Sequence, residues 1–223
     1  MTKHEFLAVA LIFVWRAFYL IAARDSTLMT LGIKWRPIMD NIPKNSTARV
    51  FFALWPNDAE RSALAAWQAV LKPTCGGRVM RADTLHLTLV FLGNVPCARL
   101  EALQLAAQEV SAPGFDLLID EARYWQHNHI LYTAPGVVPR QLAYLVSALE
   151  KSLLRHQFEF EQRDYQPHLT LLRNARCGVA SLAALPPVSW QIRDYVLLQS
   201  APHNGVAAYQ VLARFPLQAF GKP

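Results

Sequence analysis

The chain has 223 residues, 53% of them hydrophobic, which is enough to bury a sizeable core in one or two compact lobes. Its net charge of +6 is uneven: residues 1–46 hold six Lys/Arg and three Asp/Glu, leaving 16 basic and 13 acidic residues, or +3, in the remainder. That excess suits an anionic ligand, but no Lys/Arg run marks a nucleic-acid arm, so any grip on an anion must be local to a site.

In chain order, the first feature is an apolar run, Phe6 to Trp15, interrupted by Arg16 and followed by a second run, Ala17 to Ala23. Ten residues are too few to span a bilayer, and the joined stretch would carry Arg16 near its centre, which is costly. No convincing signal-peptide cleavage site follows, so a membrane partner is not expected. Residues 1–46 read as an apolar extension ending in a linker (DNIPKNST, Asp40 to Thr47) outside the fold, with Met39 as a possible later start.

Ala48 to Leu54 predicts a strand. Asn57 and Glu60 have capping-box spacing and open a helix whose apolar face carries Leu64, Trp67 and Leu71, closed by Lys72-Pro73 and Gly76-Gly77. A short strand near Arg78–Arg81 precedes a longer one from Thr84 to Leu92, then a helix from Ala98 to Val110. Phe115 to Ala122 and His129 to Thr133 read as strands. A strong helix begins near Pro139 with Leu142, Leu145, Leu149 and Leu153 on one face. Phe158 and Phe160 alternate with charged residues as a strand would, and His168 to Leu172, Trp190 to Gln199 and Ala208 to Phe215 complete the set. The mixture has no regular βαβ alternation and no Gly-rich phosphate loop, which excludes a doubly wound nucleotide-binding fold.

Two of these strands carry the same phrase. His86-Leu87-Thr88-Leu89 recurs as His168-Leu169-Thr170-Leu171. Side chains two apart on a strand share a face, so each phrase presents an imidazole and a hydroxyl about 7 Å apart and buries its leucines. Two such strands facing one cleft would supply two imidazoles for proton transfer and two hydroxyls, Thr88 and Thr170, to hold a phosphate. Arg173, three residues past Thr170, is a candidate phosphate ligand, although an ideal strand would turn it to the opposite face. Phe52, Tyr124, Trp125 and Tyr165 are candidate stacking platforms for bases, while His156 and His203 read as surface residues.

His127-Asn128-His129 resembles a metal pair, but no Cys or acidic residue joins it at ligand spacing, so no metal or other cofactor is expected. Cys75, Cys97 and Cys177 are odd in number and widely spaced. They offer neither a disulfide framework nor a zinc pattern and predict free structural thiols in a reducing compartment, the cytoplasm.

The paired His-x-Thr phrases, with Arg49-Val50-Phe51-Phe52-Ala53-Leu54, Leu85 to Gly93 and Pro167 to Arg173, resemble the 2H phosphoesterase superfamily. They are similar in particular to its RNA 2′,3′-cyclic phosphodiesterases, historically called 2′-5′ RNA ligases. The resemblance spans about residues 47–223. It implies one α+β catalytic domain, bilobal with a pseudo-two-fold, in which two antiparallel sheets flank a central cleft with helices outside. It implies RNA with 2′,3′-cyclic phosphate ends as substrate, no obligate protein partner, and a monomer. His86 would be the proton donor to the leaving 3′ oxygen and His168 the proton acceptor from water, giving a 2′-phosphate without a metal. Joining of RNA through a 2′-5′ linkage, or hydrolysis of ADP-ribose 1″,2″-cyclic phosphate or 2′-5′ oligoadenylate, would use the same histidines.

Overall fold

The computed structural model describes residues 46–178, 182, 185–201 and 207–219, all within one compact unit, Lys44–Pro223. The expectations for residues 1–45, including the apolar runs and Met39, lie outside the described residues, as does His203. Among the described residues, no helix is long and apolar enough to cross a membrane.

The same local plan occurs twice. Strand β1 (Thr47–Leu54) leads into helix α1 (Asp58–Cys75), a two-residue strand β2 (Arg78–Val79), a 3-10 turn (Ala82–Thr84), and strand β3 (Leu87–Pro96), which returns antiparallel to β1. Later, β6 (Ile130–Ala134) leads into α3 (Arg140–Arg155) and then β7 (Leu169–Arg173), which returns antiparallel to β6. Each histidine of the repeated phrase stands at the mouth of its returning strand, one residue before the strand begins.

Among the described residues three sheets result. β3 forms the edge of a sheet ordered β10-β9-β1-β3, with β9 at Asp194–Ser200 and β10 at Tyr209–Pro216. β7 lies inside the order β2-β7-β6-β5, with β5 at Glu121–Trp125. A two-stranded sheet, β4 (Phe115–Ile119) with β8 (Val188–Ile192), is additional to the expected pair. The segments predicted as single strands at 115–122 and 190–199 each break in two at a polar residue, Asp120 and Arg193, and their halves join different sheets.

Helix α1 begins at the expected capping box: the Asn57 side chain accepts from the Ala59 and Glu60 amides, and Glu60 reaches back to the Asn57 amide. It runs through Pro73 rather than ending there, and stops where Gly76 adopts φ 61°. Helix α2 covers Leu100–Gln108, preceded by a 3-10 turn at Cys97–Arg99. The apolar faces of all three helices pack into one large core with Val50, Phe52, Leu54, Leu89 and Leu171.

Two expectations fail here. Phe158 and Phe160 lie in irregular backbone; Phe158 is buried beneath the Arg99 guanidinium at 4.1 Å, so its burial needs no strand partner. The sulfurs of Cys75 and Cys177 are bonded, although 102 residues separate them, and only Cys97 is free among the cysteines. The pairing overturns the reading of all three as thiols and removes the argument from cysteine usage for a reducing compartment.

Candidate active site

Bulges at the motif strands decide what faces the cleft. On the first, Ala53 pairs with Thr88 but Phe52 pairs with Val90, so Leu89 is an extra residue. Leu89 and Val90 both turn into the core, and Phe91, three residues past Thr88, rejoins it on the cleft face. On the second strand, Tyr132 pairs with Thr170 and Leu131 with Leu172, leaving Leu171 extra. Leu171 and Leu172 are both fully buried, and Arg173 rejoins Thr170 facing the cleft. This corrects the expectation from ideal alternation, which sent Arg173 to the opposite face.

Each bulge is braced from elsewhere in the fold. The Leu171 carbonyl accepts from the Met80 amide and from Gln68 Nε2, both at 2.9 Å, and Gln68 Nε2 also reaches the Met80 carbonyl. Gln68 is buried on α1, so its amide satisfies backbone groups that the irregular ladder leaves over. At the first bulge, the Tyr165 hydroxyl donates to the Thr88 carbonyl at 3.2 Å. Beyond Arg173 the chain is pinned. The Ala175 amide donates to the His129 carbonyl and its carbonyl accepts from Tyr124 Oη, while the Arg176 amide donates to the Cys75 carbonyl beside the disulfide. Gly77, at φ 76°, backs onto this segment; a Cβ there would stand 2.6 Å from the Arg173 carbonyl oxygen.

The cleft, about 230 Å³, is lined by His86, Thr88, His168, Thr170 and Arg173, with Arg49, Phe51, Phe91, Ser200 and Tyr209 from the first sheet and Met80 and Thr84 from the connector. Every predicted acid–base and phosphate residue is therefore in one cavity. Both imidazoles are tethered alike: His86 Nδ1 lies 2.7 Å from the Thr84 carbonyl and His168 Nδ1 lies 2.9 Å from the Gln166 carbonyl. A carbonyl can only accept, so each Nδ1 carries its proton and Nε2 is left as the reactive nitrogen.

The surroundings differ. His86 packs against Phe51 and Tyr209, both at 4.9 Å between centroids, and stacks on Trp55 at 6.3 Å. Beneath it lies a small apolar cluster of Phe51, Ala53, Val196 and Leu198. Burial pushes His86 down to about 4, with the His168, Arg173 and Arg61 charges acting in the same direction and the Thr84 carbonyl opposing. His168 touches Trp125 at 4.7 Å and Tyr132 at 5.9 Å and is also lowered, chiefly by burial.

The candidate platforms separate. Trp125 flanks His168. Phe52 is wholly in the core against Tyr195 and Phe215, because β1 alternates and residue 52 falls on its inner face. Tyr124 and Tyr165 spend their hydroxyls on the struts described above. His129 Nδ1 bonds the Tyr124 hydroxyl at 2.9 Å, and among the described residues no three His, Cys, Asp or Glu converge as a metal site would need. His156 is surface-bound to Glu109 at 2.8 Å. Sequence reasoning passed over Arg49, Gln68, Phe51 and Tyr209. Of these Arg49 and Phe51 carried a signal, a cation and a ring on the strand face opposite Val50, Phe52 and Leu54.

The sequence signature described as LigT-like phosphoesterase matches residues 54–132. The RNA 2′,3′-cyclic phosphodiesterase of Escherichia coli (strain K12) is 33% identical over 173 residues, covering 76% of this chain and 96% of the relative. The crystal structure of E. coli LigT in its apo form superposes with a TM-score of 0.68 at 31% identity, covering 78% of this chain and 99% of that one. The structure of E. coli LigT complexed with 3′-AMP matches with the same TM-score at 32% identity, covering 77% and 99%. With the duplicated His-x-Thr strands meeting in one cleft between two antiparallel sheets, the chain belongs to the LigT-like phosphoesterases of the 2H superfamily and is an enzyme of that family.

Proposed function

We propose that this enzyme hydrolyses 2′,3′-cyclic phosphodiester ends of RNA to 2′-phosphomonoesters, using His86 and His168 as an acid–base pair and no metal. The observation that carries the reading is the matched tether, Nδ1 of each ring on the carbonyl two residues before it, which leaves both Nε2 atoms free in one shared cleft. The activity of the E. coli relative supports the substrate class.

A cyclic phosphate is opened by a water deprotonated on one side and a leaving oxygen protonated on the other. Thr88 and Thr170 donate to the non-bridging oxygens, and the Arg173 guanidinium balances their charge. The enzyme needs one neutral and one charged imidazole. The protein's own groups depress both, His86 to about 4, which favours the neutral form of each ring. An entering phosphate anion favours the charged form. The assignment of His86 as donor to the 3′ oxygen and His168 as acceptor from water requires the bound phosphate to raise His86 above His168. The two values belong to the coupled pair in that state.

The test is incubation with an oligonucleotide ending in a 2′,3′-cyclic phosphate, in EDTA, with the product read by phosphorus NMR. A 2′-phosphomonoester at an undiminished rate is expected. A rate that collapses in EDTA, a 3′-phosphate, or a joined product would contradict the proposal.

A further inference from the structure

The cleft contains a second guanidinium that the hydrolytic scheme does not use. Arg49 stands on β1 two residues before Phe51, whose ring touches His86 at 4.9 Å. Two strand residues cover about 7 Å, comparable with the backbone repeat of one nucleotide. The Arg49 guanidinium rests on the Phe91 ring, 4.9 Å from its centroid, which holds its plane and leaves its N–H edge for another partner. Val50 pairs with Gln199 and Tyr209 with Ser200, so Arg49, Ser200 and Tyr209 form one row across β1, β9 and β10 on the cleft side. The row runs Tyr209, Ser200, Arg49, so the guanidinium stands beside the Ser200 hydroxyl with the Tyr209 hydroxyl one strand further on the same side. No carboxylate lines the cleft among the described residues, and none pairs with Arg49 there.

The two cations differ in what they face. Arg173 shares the cleft face of β7 with Thr170, next to His168, which puts it beside the phosphate that the histidines would hold. Standing two strand residues beyond Phe51, with Phe91 beneath it, Arg49 meets an anion about one nucleotide repeat from the anion held between the histidines.

We propose that Arg49, set in place by Phe91 and in row with Ser200 and Tyr209, binds the phosphodiester on the 5′ side of the terminal nucleotide. Arg49 thereby selects oligonucleotide ends over free nucleoside cyclic phosphates. The inference rests on the cyclic-phosphodiesterase reading and deepens it.

The experiment compares three substrates: a nucleoside 2′,3′-cyclic phosphate, a dinucleotide with the same cyclic end, and that dinucleotide with an uncharged methylphosphonate linkage. Each is assayed with wild type, Arg49→Gln and, as a control for general attraction by a surface cation, Arg140→Gln. Arg49→Gln is expected to lower kcat/KM about tenfold or more on the natural dinucleotide, chiefly through KM. It should leave the other two substrates within about twofold. The slope of log KM against log salt for the natural dinucleotide should fall by about 0.7, as for one lost phosphate contact to a single strand. Equal losses on all three substrates would put Arg49 at the reacting phosphate and overturn the proposal. No loss on any, the same loss with the methylphosphonate, or an equal loss in Arg140→Gln would also overturn it. A wild type that turns over the nucleoside cyclic phosphate upholds the underlying reading whatever Arg49 does, whereas one inert on all three sinks both.

Discussion

His86, Thr88 and Phe91 stand in one half of the cleft where His168, Thr170 and Arg173 stand in the other. Both halves spend one extra leucine to bring the third residue round to the cleft, and both tether Nδ1 to the carbonyl two residues back. They diverge in environment. The first half is walled by Phe51, Trp55 and Tyr209 on an apolar floor; the second is flanked by Trp125 and Tyr132 and ends in a guanidinium. The lesson is that the duplicated backbone fixes the geometry of the pair, while the residue after the bulge and the burial of each ring set the charge.

The comparison breaks first at the histidines. His86→Ala and His168→Ala should each lower kcat on a cyclic-ended oligonucleotide by about 10² to 10⁴, since each removes one proton-transfer role. A variant retaining full turnover would show that its half is dispensable. The third positions should separate sharply. Arg173→Gln should cost about ten- to a hundredfold in kcat/KM on every substrate, and Phe91→Leu only a few-fold and only on oligonucleotides. Similar profiles for the two variants would mean that the halves are not divided in the way described.

The rings should also differ in their effect on stability. A histidine held below its ordinary value leaves the folded protein binding fewer protons than the unfolded chain. Its contribution is present above about pH 6.5 and lost as pH falls toward the folded value. With His86 at about 4, that loss is about 3 kcal/mol between pH 6.5 and 4. Denaturant titrations of apo enzyme across this range should show it, and His86→Gln should flatten the curve. An unchanged curve would contradict the burial of that ring. The smallest effects concern the braces. Gln68→Leu strips a donor from two buried carbonyls and should destabilise by about 1–3 kcal/mol, with a rise in KM as Arg173 loses its support. Tyr165→Phe removes one bond and should cost about 1 kcal/mol.

The sequence disclosed the paired phrases because alternation of leucine with His and Thr is itself the strand signal, and the capping box at Asn57 and Glu60 marked α1 in the same local way. What it hid was non-local or irregular. Leu89-Val90 and Leu171-Leu172 read as unbroken alternation until their partners show a bulge, so Arg173 seemed to face away. Phe158 and Phe160 alternate without a partner to complete a ladder. The Cys75–Cys177 bond joins residues 102 apart, and Gln68 reads as an ordinary polar helix residue until the carbonyls it serves are known.

The most direct measurement is nitrogen-15 NMR of the histidine rings during titration with inorganic phosphate. Both rings should begin as neutral Nδ1–H tautomers. Their Nε2 signals should then move toward the protonated form together, with a single dissociation constant that weakens in Arg173→Gln. Two unrelated binding curves, or movement of one ring only, would contradict the claim that His86 and His168 address the same phosphate.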